Sequence, residues 1–307
     1  MDGQSIDWVI QNLEEPHETI RKTPGGHGEL VVTTFDHALV HLKLYELTRD
    51  PRFLGKAMHF LEETAQFEGT QARWRFSQKV TDIPSDADST SLALTVFAMA
   101  EIERLPFSKE YRALGNLEQF RDLQEDSGGI CTYFSGKSNN DTDPVVNAHL
   151  AFLGLITRQE GDFWSGIKRY LNDQVKDLKE GSKTSEYFPG SICFAKSMAK
   201  LSAYNPDFIG RATTEPLDTF LLTARPANTL EVALLSIGCS YRGLTERADG
   251  LNKELEEQRE PNGAWGFAMF YQQRTPRFDY GSEINTTLFA IEALSLQDSP
   301  IELVGYS

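Results

Sequence analysis

The chain has 307 residues, a formal net charge of −15, and 40% hydrophobic and 11% aromatic residues. That is apolar mass enough for a sizeable core, and the acidic balance excludes nucleic acid and anionic membrane surfaces as natural partners. The three cysteines, Cys131, Cys193 and Cys239, are far apart and form no CxxC pair, which excludes a disulfide framework and a zinc knuckle and fits a reducing, cytoplasmic setting.

In chain order, Ile6 to Leu13 reads as a short amphipathic helix with Ile6, Val9, Ile10 and Leu13 on one face. Pro24-Gly25-Gly26-His27-Gly28 breaks the chain. Thr33-Thr34-Phe35-Asp36-His37-Ala38 then opens a mostly apolar helix that runs to about Leu47. Asp50-Pro51 starts a surface helix, with Phe53, Ala57, Phe60 and Leu61 along one stripe. Arg73-Trp74-Arg75-Phe76-Ser77 alternates briefly. It is followed by Asp82-Ile83-Pro84-Ser85-Asp86-Ala87-Asp88-Ser89, which packs three acids ahead of a helix that is apolar on nearly every face from Leu92 to Ile102.

The same order recurs. Tyr111 to Gln124 is predicted as an amphipathic helix, and Gly128 to Phe134 as a glycine-led extended piece. Asn140-Asp141-Thr142-Asp143-Pro144 leads into a buried-type helix from Val145 to Ile156. An amphipathic helix carries Trp164, Ile167, Leu171 and Leu178, and Tyr187-Phe188-Pro189 starts another buried-type helix through Leu201. Phe208 to Thr223 is of the outer type, Leu230 to Ile237 of the buried type, and Arg247 to Gln258 is charged and exposed. Gly263-Ala264-Trp265-Gly266-Phe267 repeats the glycine–aromatic stretch before the last apolar helix, Ile284 to Leu296. No stretch approaches eighteen apolar residues, so no membrane span is expected, and Met1-Asp2-Gly3-Gln4 lacks the basic start and apolar run of a secretory leader.

The buried-type helices start near Thr34, Ser89, Pro144, Pro189, Ala227 and Ile284, about 50 residues apart, each preceded by an amphipathic helix. Six inner and six outer helices in alternation imply an all-α fold, an (α/α)6 toroid. Because the pattern never restarts, a single domain is expected over residues 1–307. In such a ring the inner helices run parallel and gather their N-termini at one end of a central cavity. That end would hold Asp36, His37, Asp86, Asp88, Asp141, Asp143, Tyr187, Tyr280 and Glu283, with Trp74 and Trp265 as aromatics between layers or lining the cavity. Carboxylates crowded on an apolar cavity cannot all stay ionised, and one that keeps its proton is a general acid.

Each residue also has a plainer role. Asp143-Pro144 is the pattern of an N-cap followed by a helix's first proline. Glu283 complements a helix dipole. His37 and His149 read as solitary core histidines beside apolar faces. Asp86 with Asp88 is more than a cap requires, since one cap uses one acid.

Asp86-Ala87-Asp88-Ser89-Thr90 resembles the Asp-x-Asp-Asp-Thr motif of class II terpene cyclases, the squalene–hopene cyclase type, in the terpenoid cyclase and protein prenyltransferase toroid superfamily. Gln258 to Trp265 looks like the glutamine–glycine–tryptophan repeat of that family, and Gln124 to Ile130 like a weaker copy. The resemblance implies that Asp88 protonates an alkene or epoxide of a small isoprenoid substrate and that Asp86 supports it, with Ser89 standing where the third acid would be. It implies no metal ion. Mg²⁺ enters only if the substrate is a diphosphate held by Asp86, Asp88, Asp141 and Asp143. The family's enzymes carry two helical domains where this chain has room for one, so its ring must close with loops or with a second subunit of a homo-oligomer. The other readings are a carbohydrate-active (α/α)6 enzyme pairing Asp88 with Asp143 or Glu283, and a non-catalytic small-molecule-binding toroid.

Overall fold

The computed structural model describes residues 3–13, 17–22, 28–77, 83–134, 140–179, 184–185, 187–188, 190–274 and 277–298. Asp82, Pro189 and most of the predicted break at residues 24–28 lie outside them. The described residues are mostly helical and form two compact units. The first comprises Met1–Glu14, Ile20–Leu30 and Leu171–Ser307, and the second Glu15–Thr19 and Val31–Tyr170.

In the second unit, α2 (Thr34–Thr48), α4 (Ala87–Ile102) and α6 (Pro144–Ile156) are the buried helices, and α4 packs against both of the others. From Ala87 to Ala100 every residue is buried, which is why the sequence there has no polar face. Helix α3 (Pro51–Thr64) buries only the stripe Phe53, Leu54, Ala57, Met58 and Leu61, and packs on α2 and α4.

The first unit repeats the arrangement. It starts with α1 (Gly3–Asn12), which packs on α12 (Glu283–Asp298). The buried helices α8 (Gly190–Tyr204), α10 (Thr229–Tyr241) and α12 contact in that order, while α9 (Arg211–Thr223) and α11 (Thr245–Gln258) bury one face each. Helix α7 (Asp162–Lys176) begins in the second unit and ends in the first. Among the described residues no helix is long and apolar enough to cross a membrane, and no disulfide links the three cysteines.

Side-chain caps explain where the buried helices begin. Thr33 accepts from Asp36 N, Asp86 from Ser89 N, Asp143 from Val145 N and Val146 N, Asn228 from Glu231 N, and Ser282 from Asn285 N. A second device recurs ahead of three of these helices. The Trp74 backbone is clasped by Thr90, which accepts from Trp74 N at 3.1 Å and donates to Trp74 O at 3.4 Å. Thr287 clasps Trp265 with the same pair of bonds at 3.0 and 3.4 Å. Asn147 clasps Ile130 at 2.8 and 3.1 Å. Both indoles also donate to the end of the preceding helix, Trp74 to Leu61 O at 2.8 Å and Trp265 to Leu255 O at 2.7 Å. The approach of the loop after residue 124 to α7 depends on Gly128, which has φ +90°. A Cβ there would lie 2.4 Å from Gly166 O.

The structure departs from expectation in two places. Tyr111 to Gln124 is broken into a 3-10 turn at Lys109–Tyr111, the short α5 (Ala113–Asn116) and a 3-10 stretch at Leu117–Leu123. Buried amides cause the break. Asn116 accepts from Ala72 N and donates to Glu110 O and Arg112 O, and Gln119 donates to Ala72 O and Asn116 O, so side chains take bonds that a regular helix would make. Among the described residues, six short strands also accompany the helices. In the first unit, part of β1 (Glu18–Lys22) pairs antiparallel with β6 (Arg277–Ser282), which pairs with β5 (Ala268–Arg274); the sheet order is β2-β1-β6-β5, where β2 is Gly28–Val32. In the second unit, β3 (Gln66–Glu68) and β4 (Gln71–Arg73) form a hairpin.

Candidate active site

The head of α4 is fixed from both sides. Asp86 N donates to Trp74 O at 3.1 Å and Ala87 N to Thr132 O at 2.7 Å, so the segment entering the helix is stitched into extended neighbours. Asp86 then turns its carboxylate back on the helix, taking Ser89 N at 2.7 Å on Oδ1 and Ser89 Oγ at 3.0 Å on Oδ2. Both oxygens are therefore engaged by one capping serine. Burial pushes this carboxyl up to about 7; the Ser89 N–H bond pulls against that rise and the charge of Asp88 adds to it.

The rise has a sign that can be measured. The folded protein keeps the Asp86 proton to higher pH than the unfolded chain, where the group titrates at its ordinary 3.8. Its contribution to stability is therefore present at acid pH and is lost as pH rises from about 4 to about 7. Asp86→Asn keeps the oxygen that accepts from Ser89 N and removes the titration. Above pH 7 it is expected to be more stable than wild type by on the order of 4 kcal/mol, taking roughly 1.36 kcal/mol per unit over about three units. Urea midpoints from pH 4 to pH 8 test this: the gap between variant and wild type should widen as pH rises, and a gap that stays constant would rule out the raised carboxyl.

Asp88, two residues on, has a different partner. Its Oδ1 lies 2.5 Å from Nδ1 of His149, a residue of α6 that is 61 positions away in sequence and is brought close by the α4–α6 packing. The side chains keep 12% and 25% of their surface, so the pair is lodged in the interior without being sealed. The Phe35 ring lies beside the imidazole, with centroids 6.1 Å apart. Among the described residues, Asp88 Oδ2 makes no hydrogen bond. A carboxyl held by an imidazole on one oxygen, in the first turn of a helix, can release a proton from the other while two positive influences stabilise the charge left behind.

His149 is the residue that sequence reasoning treated as core. The signal for it is that it is the only ionisable side chain on α6, a helix that is apolar but for Asn147, five positions after the first-turn proline.

The other expected site residues fall as follows. Asp143 caps α6 with 1% exposure, and Asp141 is exposed, with its carbonyl taking Thr132 N and Oγ1. Asp36 is buried and accepts from Thr19 Oγ1. His37 is not solitary. His17 N donates to its Nδ1 at 3.1 Å, and the His41 ring lies 4.3 Å from its own. Burial first, then the charges of His41 and His17, push His37 down to about 3, and burial likewise lowers His17 against the pull of Asp36. Trp74 is fully buried in the second unit. In the first unit, Trp265 is fully buried, Tyr280 stacks on Tyr271 with centroids 4.9 Å apart, Tyr187 O accepts from Gln272 N, and Glu283 is exposed in the first turn of α12. Among the described residues, no group of three or more His, Cys, Asp or Glu is arranged to hold a metal ion.

No protein-family model and no curated relative matches the sequence. Solved structures do. A protein from Actinoplanes is 14% identical, with a TM-score of 0.72 over 96% of this chain and 98% of that one. The apo type II terpene cyclase MstE from Scytonema is 13% identical, with a TM-score of 0.68 over 95% of each chain. An unsaturated glucuronyl hydrolase specific for heparin is 12% identical, with a TM-score of 0.59 over 96% and 94%. What these proteins share with the chain is a fold. The helix content and this likeness agree with a helical toroid.

Proposed function

We propose that the chain is an enzyme in which Asp88, paired with His149, is the general acid that protonates a double bond or epoxide of an apolar isoprenoid substrate, starting a cyclisation or isomerisation. The supporting observation is how the carboxylates of the second unit are used. Asp86 and Asp143 serve as caps and Asp36 takes the Thr19 hydroxyl, whereas Asp88 meets the His149 imidazole at 2.5 Å. In the reacting state Asp88 Oδ2–H gives its proton to the substrate carbon or oxygen. The carboxylate that remains takes the Nδ1–H of His149 and sits in the first turn of α4, so the charge that develops meets a fixed N–H donor and the positive end of a helix. Asp86, bonded through both oxygens to Ser89, holds the helix head in register. Ser89 occupies the place of the third acid in the resembled motif and acts here as the donor to that cap.

A carbohydrate-active reading needs a second carboxyl set for acid–base or nucleophilic work at roughly 5–9.5 Å. Asp143, which would supply it in this unit, already accepts two backbone N–H groups. Incubation with isoprenoid diphosphates, free prenyl chains and oligosaccharides, followed by mass spectrometry, separates the readings. A rearranged isoprenoid supports protonation by Asp88, and glycan cleavage alone would overturn it. Because one carboxylic acid supplies the proton, product formation is expected to survive exhaustive EDTA dialysis. A complete loss restored by Mg²⁺ would instead move Asp141 and Asp143 into a diphosphate site.

A further inference from the structure

The β3–β4 hairpin and the Pro84–Ser85 segment leading into α4 border a groove of about 260 Å³. Two guanidinium groups, Arg73 and Arg75, line it in a chain whose net charge is −15. Both are held in place by neighbours. Arg73 Cζ sits 4.3 Å over the Phe134 ring, and its Nε donates to Gln119 Oε1 at 2.9 Å. Arg75 Nε donates at 3.0 Å to Gln66 Oε1, the same oxygen that takes Ser85 Oγ at 3.1 Å, and Arg75 bridges Ser85 through an antiparallel backbone contact.

Guanidinium groups fixed in advance lose little freedom when they meet an oxyanion, and they can present paired N–H donors to it. Phe67, half exposed on the lining, adds apolar surface beside this charge. The counter-ion of Arg73 is weakly held. Glu68 pairs with Arg73, but its side chain is 72% exposed, so solvent competes for the contact and an anion of better geometry can displace it.

We propose that this groove is an oxyanion-binding site in which Arg73 and Arg75 take a carboxylate or phosphate group of a small molecule whose apolar part lies on Phe67. The site does not depend on the reaction assigned to Asp88. Its test is calorimetric titration of the full chain with inorganic pyrophosphate and, separately, with benzoate. Binding of pyrophosphate without benzoate identifies phosphate esters as the source, and the reverse identifies carboxylates.

Two nearly isosteric variants read the site without disturbing the fold. Gln66→Glu keeps the acceptor for Arg75 and Ser85 but sets a carboxylate against the guanidinium, and is expected to weaken the bound probe by about tenfold or more. Glu68→Gln removes the anion that competes at Arg73 and is expected to tighten binding several-fold, a gain that misfolding cannot mimic. Asp88→Asn should bind the probes as wild type does, which keeps this outcome separate from that of the proposed reaction. Failure of both probes to bind at millimolar concentration, or equal affinities in Gln66→Glu, Glu68→Gln and wild type, overturns the proposal.

Discussion

An Asp88→Asn protein is expected to fold and melt like wild type and to lose turnover by about 10²–10⁴-fold, the usual weight of a positioned general acid. The amide keeps the size of the side chain and can still meet His149 Nδ1, but it has no acidic proton to give. The folding interactions weakened are that of a charge in the first turn of α4, about 0.3–1 kcal/mol, and the charged part of the contact with His149, which the amide oxygen still makes. His149→Gln should lose activity too, by a smaller factor, because a flexible amide near Asp88 Oδ1 replaces the fixed imidazole that stabilises the carboxylate left behind. Asp143→Asn provides the contrast. It keeps most of the cap on Val145 N and Val146 N, so it should lose on the order of 1 kcal/mol or less and retain turnover. Thermal midpoints and product yields for the three proteins decide the matter. Wild-type turnover in Asp88→Asn would leave Asp88 a helix-dipole residue and remove the acid from the mechanism.

Trp74→Ala and Trp265→Ala are each expected to destabilise the fold by about 3–5 kcal/mol. Both rings are fully buried, and each indole is the donor that joins its loop to the end of a preceding helix. Truncation leaves a cavity among Phe97 and Tyr111 in one case and strips the ring from under Arg259 in the other, and the carbonyls of Leu61 and Leu255 each lose the indole donor. Trp74→Phe and Trp265→Phe fill most of the volume and lose only the N–H, so about 1–2 kcal/mol is expected. Urea denaturation measures the difference. If the Phe variants instead kept full stability but changed the product, the rings would be contacting substrate rather than joining elements.

The helix starts were legible because capping is local chemistry. Thr33, Asp86, Asp143, Asn228 and Ser282 each announce a buried helix within a residue or two of the position that the sequence indicates, and apolar runs without a polar face mark those helices as interior. What the sequence hid depends on side chains from elsewhere in the chain. The helix expected over Tyr111 to Gln124 breaks because Asn116 and Gln119 bond to Ala72, more than forty residues earlier, and no periodicity records that. The strand pairing of β1 with β6 joins the two ends of the sequence, and neither strand is long enough to show alternation. The site divides in the same way. Asp86 and Asp88 could be read from their spacing alone. The pairing of Asp88 with His149 needed the register of α4 against α6, and the His17–His37–His41 cluster needed a segment ahead of β1 to lie on α2.

The buried acid and the buried imidazoles of the second unit have an effect together that neither has alone. Between about pH 4 and the ordinary histidine value of 6.5, unfolding lets Asp86 release a proton and lets His37 take one up, so the two exchanges cancel. Burial lowers His17 as well, so it adds to the uptake on unfolding and favours the folded state toward the upper end of that range. The contributions of Asp86 and His37 to the pH dependence of stability around Asp88 therefore offset each other across this range. For a catalyst that works by giving up a proton, the low-pH limb of a rate profile can then be read as the filling of the donor rather than as the melting of the protein that holds it.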